Sequence, residues 1–211
     1  SRPSVSLDYT RYELDDYTLG DAGFDRTVPV FEWDNGLYFD RRSSLFDLPY
    51  NQTLEPRLYY AWADAEDQSD IPDFDTGVTS FSFDQLFTRN RFSGGDRVAD
   101  ANQLTVALTS RFNDLLTGAE RARFSIGQVY YYDDLEVSLA GQGAQTRSES
   151  PLAGEMSLRP LANLEIRSSG LWDHRTGETE EGRTQLVYHS DDYRYLATIG
   201  HTYSRNSLEQ T

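Results

Sequence analysis

The residues best equipped for chemistry lie between Asp67 and Asp75. There Asp67-Gln68-Ser69-Asp70-Ile71-Pro72-Asp73-Phe74-Asp75 gathers four carboxylates into one short run. Hard cations take oxygen ligands, so Asp67, Asp70, Asp73 and Asp75 make a loose calcium-loop pattern, but the run lacks the central Gly and terminal Glu of an EF-hand. A solvated acidic loop is the preferred reading. With 35 acidic residues, pairs of the kind a glycosidase uses arise by chance, and no spacing singles one out. His174, His189 and His201 have neither ligand nor triad spacing, and no glycine-rich phosphate loop is present. Asn51-Gln52-Thr53 matches a glycosylation sequon, which means nothing if the source is bacterial. The absence of Cys excludes a disulfide framework or thiolate zinc site within the chain. The expectation is no catalytic centre and no cofactor.

Arginines are more suggestive. Arg57, Arg111, Arg123, Arg159, Arg167, Arg183 and Arg194 fall on strand-like segments among small polar partners, opposite the apolar set. In a barrel they would face the lumen, pairing with Asp or Glu or lining a path for an anionic, amphipathic cargo. Structural pairing is the preferred role.

The elements that must position these groups alternate with a period of two. Val5, Leu7 and Tyr9 alternate with Ser6, Asp8 and Thr10. Residues 27–42 are extended, and Asp34-Asn35-Gly36 reads either as a hairpin turn or as a bulge in one long strand. Leu58, Tyr60 and Trp62 mark a strand over 52–63. Leu104, Val106 and Leu108 oppose Thr105, Ala107 and Thr109. Further strands carry Phe124, Ile126 and Tyr130, then Leu152, Met156 and Leu158, then Leu164, Ile166 and Trp172, then Leu186 and Tyr188, then Tyr193, Tyr195, Ala197 and Ile199. With 27–42 as one bulged strand, long connections (14–26, 64–101, 133–148, 174–182) alternate with short ones (43–51, 114–119, 160–163, 190–192). That parity is the habit of outer-membrane barrels, and it favours the bulge. Strand lengths near ~9–11 residues suit a tilted membrane strand. Tyr9, Trp62, Tyr130, Trp172 and Tyr193 sit at strand ends, as interfacial girdles require.

The connection 64–101 stands out, because such length is rare between strands. Ile71, Phe74, Phe81, Phe83, Leu86, Phe87 and Phe92 give it too much apolar surface for a disordered linker, so it is expected to fold and pack. Net charge −16 and pI near 4.4 exclude a phosphate-neutralising nucleic-acid binder. All 19 basic residues are Arg. Hydrophobic content is 37% and aromatic content 13%, low and high respectively, as a chain with only alternate residues facing lipid would show. No run approaches the ~18 apolar residues of a membrane helix. Ser1-Arg2-Pro3-Ser4-Val5 opens straight into a strand pattern with neither initiator Met nor signal peptide, so a fragment of a longer protein is expected.

Ordered motifs narrow this further. Gln52-Thr53-Leu54-Glu55-Pro56-Arg57-Leu58-Tyr59-Tyr60, Asp67-Gln68-Ser69-Asp70-Ile71-Pro72, Phe74-Asp75 and Asp84-Gln85-Leu86-Phe87 come first. Asn90-Arg91-Phe92-Ser93-Gly94, Asp96-Arg97, Asp100-Ala101-Asn102-Gln103-Leu104 and Thr109-Ser110-Arg111 follow, then Gly127-Gln128-Val129-Tyr130-Tyr131. With Arg26-Thr27-Val28-Pro29-Val30 and Gly36-Leu37-Tyr38-Phe39, this order resembles the LptD family. These are the outer-membrane LPS-assembly proteins, also called organic solvent tolerance proteins (OstA). The likeness is dense over 26–132 and thinner outside.

The resemblance implies an all-β, antiparallel, up-and-down transmembrane barrel in the Gram-negative outer membrane. It also implies an LptE-like lipoprotein plug inside, and a periplasmic jellyroll that receives lipopolysaccharide from an LptA-type bridge. The lipid leaves through a lateral opening between the first and last strands. Residues 1–211 would be a middle part of that barrel, about nine strands, lacking the jellyroll, the closing strands and the family's disulfide cysteines. As a fragment it is expected to form an open, curved sheet with unpaired edges prone to aggregation. No gate residue carries over. The implied activity is non-covalent transfer of lipopolysaccharide into the outer leaflet, with outer-membrane lipid around the wall and no enzyme chemistry. Loop 64–101 would lie extracellularly, over or into the mouth, its carboxylates meeting lumenal Arg or ions that bridge lipopolysaccharide phosphates. The rival reading is a secreted, soluble β-sandwich that binds or cleaves carbohydrate. It would bury Leu104, Val106, Leu108, Phe124 and Ile126 between sheets and leave Trp62 or Trp172 free to stack on sugar.

Overall fold

A computed structural model describes residues 1–13, 23–45 and 48–205. These described residues are all-β and antiparallel apart from one short 3-10 turn, Asp84–Phe87. The main strands are β1 (Arg2–Glu13), β2 (Gly23–Gly36), β3 (Phe39–Leu45) and β4 (Leu48–Ala63). A two-residue ribbon, β5 (Gly77–Val78) with β6 (Phe92–Ser93), lies in the long connection. Then come β7 (Ala101–Asp114), β8 (Glu120–Tyr131), β9 (Leu152–Leu161), β10 (Leu164–Asp173), β11 (Glu178–His189) and β12 (Leu196–Ser204). The strand order is β1-β2-β4-β7-β8-β9-β10-β11-β12, with β3 also on β4.

Residues 27–42 do not turn back at Asp34-Asn35-Gly36. β3 follows β2 along β4 after a two-residue interruption at Leu37-Tyr38. The reason lies in the facing strand. Leu37 N donates to Pro56 O at 3.0 Å, and Pro56 has no N–H to give in return, so the ladder lapses there. Counting β2 and β3 as one broken strand gives nine in the large sheet among the described residues.

Two expectations about connections need correction. The stretch 174–182 is not a long loop, because β11 begins at Glu178 and leaves only 174–177 between strands. Glu178-Thr179-Glu180-Glu181 is polar yet extended, paired with β10 across a register shift between Leu171 and Trp172. Polarity excludes a segment from hydrocarbon, not from a ladder. The last turn is longer than expected and runs to Tyr195, with β12 starting at Leu196. Most of the connection 14–26, and the middle of 43–51, lie outside the described residues.

Contacts divide the chain into two units. The first comprises Ser1–Asn35, Leu58–Thr105 and Val129–Glu149. Its core joins Val28, Val30, Tyr59, Ala61, Ala63, Val98 and Ala101, with Phe87 packed on them. Small and β-branched residues on one face of β2 and β4 therefore form a seat for the long connection. Leu86 is fully buried, and Thr105 donates to its carbonyl. Ile71 and Phe92 are buried too, whereas Phe74 is 61% exposed, its ring beside that of Tyr12.

The second unit comprises Gly36–Arg57, Val106–Gln128 and the chain from Ser150 on. Here the usual burial order is inverted. Val106, Leu108, Phe124 and Ile126 are 42%, 39%, 42% and 46% exposed, while Ala107, Ser125 and Gly127 between them are buried. Leu104, in the first unit, is half-buried. Among the described residues no second sheet covers this apolar set; the only other sheet is the β5–β6 ribbon. The sandwich reading fails on that point, since it needs these side chains inside.

Candidate functional site

The site is built in the first unit, where the long connection returns to the sheet. Asp96 is its centre and is 4% exposed. Its Oδ2 accepts from the amides of Phe74 (2.8 Å) and Asp75 (2.9 Å) and from the Thr76 hydroxyl (3.1 Å). Its Oδ1 accepts from the Tyr12 hydroxyl at 3.2 Å. Burial pushes this carboxyl up, but the two amides and two hydroxyls outweigh burial and hold it at about 2. A folded value depressed below the usual carboxylate range gives stability that is complete above about pH 4 and is lost as pH falls toward 2. Exchange of the Phe74 and Asp75 amide hydrogens is therefore expected to accelerate between pH 4 and 2 more than exchange in the β10–β11 ladder. Equal acceleration in both would refute the assignment.

Arg26, 2% exposed, fixes the other side. It donates to Gln68 Oε1 (2.8 Å), to the carbonyls of Asp96 (2.7 Å) and Gly95 (3.0 Å), and to Thr10 Oγ1 (3.1 Å). Gln68 acts as a one-residue strand, taking the Val98 amide at 3.0 Å and giving to the Val98 carbonyl at 2.9 Å. The turn between them requires glycine. Gly94 has φ +78°, and a Cβ there would lie 2.6 Å from Asp75 Oδ1 and 2.8 Å from its carbonyl oxygen.

Around this centre the remaining motif residues fall into place. Arg97, buried, pairs with Asp73 at 3.0 Å, and Asp73 also accepts the Ala140 amide. Arg91 pairs with Asp100 at 2.8 Å and donates to the Val137 carbonyl, while Asp100 accepts the amides of Glu136 and Val137. Asn90 Oδ1 accepts the amides of Phe92 and Ala99, and Phe92 packs with Ala99 and Val137. Asn102 accepts from Tyr60 and donates to Asp133. Gln103 is buried; Pro72 is half-buried; Asp67, Ser69 and Asp70 are exposed, with Asp67 capping the Ser69 amide. The connection is thus sewn to β1, β2 and the 132–151 segment by charge-assisted hydrogen bonds, the stronger kind, and to β7 through the Thr105 hydroxyl.

The four carboxylates of the calcium-loop pattern are not brought together. Asp67 turns to Ser69 and Asp73 to Arg97 and Ala140, while Asp70 and Asp75 are exposed. No group of three metal-ligating side chains occurs among the described residues.

In the second unit, cross-strand register places the predicted arginines with the small polar residues. Arg123, Ser157, Arg167 and Gln185 stand in one row, and Ser125, Glu155, Ser169 and Arg183 in the next. Arg159 and Arg167 share Glu165, at 3.2 and 2.8 Å. Arg111 lies 3.5 Å from Glu55 and 3.7 Å from Glu120, which also faces Arg123. Arg57 is half-buried on β4, and Arg183 is exposed. Arg194 is the exception: it lies in the last turn, paired with Asp192, because the turn extends to Tyr195.

Arg26, Thr10 and Tyr12 were not singled out from sequence as site residues. One signal was available. Arg26 shares its strand face with Val28 and Val30, and an arginine in phase with two core valines requires buried acceptors.

Comparison with known proteins fits this arrangement. The family model for LptD, LPS transport system D, matches residues 1–211. An LPS-assembly protein LptD of Marinobacter nauticus is 81% identical over 100% of this chain and 27% of its own length. That of Hahella chejuensis is 50% identical over 99% of this chain and 26% of its own. That of Aromatoleum aromaticum is 39% identical over 98% of this chain and 26% of its own. The chain spans about a quarter of the length of these curated relatives.

Proposed function

Because the chain belongs to the LptD family, we propose that it is a length of barrel wall in the Gram-negative outer membrane, serving the delivery of lipopolysaccharide to the outer leaflet. The observation that carries this reading is the inverted burial of the second unit. Large apolar side chains stand exposed on one face, with serines, glycines and paired arginines on the other. Water penalises such a belt, whereas a bilayer rewards it, and alternation of this sense is the signature of a strand between lipid and an aqueous lumen. The whole protein's partners follow from the same reading: an LptE-like plug against the polar face and an LptA-type bridge on the periplasmic side.

The mechanism has no covalent step. The belt anchors the wall and the polar face lines the passage. The segment 64–100, docked by Arg26, Gln68 and Asp96, closes the extracellular end. Paired arginines keep the passage hydrated and leave Arg183, which is exposed, to meet anionic groups. Deleting residues 67–97 from the full-length parent is expected to weaken the permeability barrier, measured as increased sensitivity to large antibiotics and detergent. Sensitivity unchanged at normal protein level would sink the assignment of the segment as a closure.

A further inference from the structure

On the apolar face of the second unit, register sets three glycines side by side. Gly154 of β9 pairs with Gly170 of β10, and Gly170 with Gly182 of β11. Ile126 stands across from Gly154 at one end of this row, and Tyr203 across from Gly182 at the other. Over the Gly154–Gly170 part of this row lies a groove of about 640 Å3, within the range of small-ligand sites, bounded by Leu108, Phe124, Ile126, Leu152, Met156 and Trp172.

Glycine inside a strand costs conformational entropy and packs nothing, so three in a row call for a reason. Backbone geometry is not that reason, since none of the three has positive φ. Lack of room explains only one. A Cβ on Gly182 would meet nothing within 4 Å, and one on Gly154 only the Ser125 carbonyl at 3.8 Å, whereas at Gly170 the Glu181 carbonyl is 3.2 Å away. Space that a side chain could fill has been left open, the mark of a strand that another molecule approaches closely.

The lining says which molecule. The two hydroxyls beside the glycine row, Ser168 and Thr184, satisfy each other at 3.0 Å. Glu155, the charged residue along the groove, belongs to the opposite face by its place between Gly154 and Met156, and the Ser110 hydroxyl is spent on the Thr53 carbonyl at 2.8 Å. An ion would find no charge on this face and a sugar little beyond the Thr179 hydroxyl, while a neutral hydrocarbon chain loses nothing. The groove is also continuous with the exposed belt of Phe124 and Ile126. Its position selects the leaflet. Gly154 is the third residue of β9, and Gly170 lies three residues before the end of β10, both on the side of the 132–151 connection. With long connections outside, that half faces the outer leaflet.

We infer that this groove seats an acyl chain of outer-leaflet lipopolysaccharide as a resident lipid of the wall. The inference rests on the membrane-wall reading above. Its test uses the full-length protein with photoreactive benzoylphenylalanine at Met156, in the groove, or at Val106, on the belt outside it. After purification and washing in lipid-free detergent, irradiation is expected to give about fivefold more lipopolysaccharide adduct at Met156 than at Val106. Gly154→Val, whose added Cβ meets only the Ser125 carbonyl at 3.8 Å and enters the groove, should remove that excess. Equal adducts at the two positions, or adducts with phospholipid alone, would overturn the inference and leave the wall reading standing. Absence of any lipid adduct at Val106 in intact membranes would overturn both.

Discussion

Replacing Asp96 with alanine will release the long connection from the sheet in the full-length protein. The carboxylate is the common acceptor for the Phe74 and Asp75 amides and the Thr76 and Tyr12 hydroxyls. The hydroxyls can turn elsewhere, but the two amides cannot. Each partly buried donor left without an acceptor costs ~1–3 kcal/mol, so the amides alone put the loss at roughly 2–6 kcal/mol. Arg26 will not compensate, because it binds the Gly95 and Asp96 carbonyls, which alanine keeps. The expected signature is protease cleavage within 64–100 while the β10–β12 ladder stays protected. Asp96→Asn should be milder. Its carbonyl can take the Oδ2 position and hold both amides, leaving its NH2 to face the Tyr12 oxygen. Alanine and wild-type proteins cleaved at the same rate would show that the connection is held by its apolar residues, Leu86 and Phe92, and not by Asp96.

Ile126→Arg should also be costly, and the sign of its effect separates the readings of the sheet. Ile126 is 46% exposed. In water, placing a charge at such a position is nearly neutral, within about 0.5 kcal/mol. In the hydrocarbon core of a barrel wall it costs ~2–4 kcal/mol near the midplane. The matched control is Ser169→Arg, which adds the same charge on the opposite, arginine-bearing face beside Glu155. The fraction of full-length protein that reaches its folded, heat-modifiable form is expected to drop for Ile126→Arg and hold for Ser169→Arg. Equal yields from the two would remove the lipid from the account.

Period-two alternation made the strands legible, because each β-residue commits its side chain to a face and the sequence writes that choice openly. It left open which face is covered. Val106 and Leu108 would alternate with Thr105 and Ala107 identically in a sandwich, and only their exposure decides. The interruption at Leu37-Tyr38 could be framed as a bulge but not located, since its cause, Pro56, sits on another strand. The start of β11 was misplaced because Glu178 to Glu181 look like a loop until the pairing with β10 is seen. In the long connection the sequence motifs marked Gln68, Asp96 and Arg97 without their roles. Their partners are separated by tens of residues, and neither period nor propensity reports on such contacts.

The Asp96 centre also sets an order of events. Tyr12 is 84 residues away and Arg26 meets the Asp96 carbonyl across 70, so the lock is made almost wholly of non-local contacts. Such contacts form late, because the chain between them must be closed first at an entropic cost that nearer contacts do not bear. Arg26 and Tyr12 are presented together only once the β1–β2 hairpin has its register, Thr10 opposite Arg26 and Tyr12 opposite Phe24. A hairpin slipped by one residue would put the two on opposite faces. The connection can therefore dock only on a correctly registered hairpin, and docking serves as a proofreading step in the assembly of this sheet.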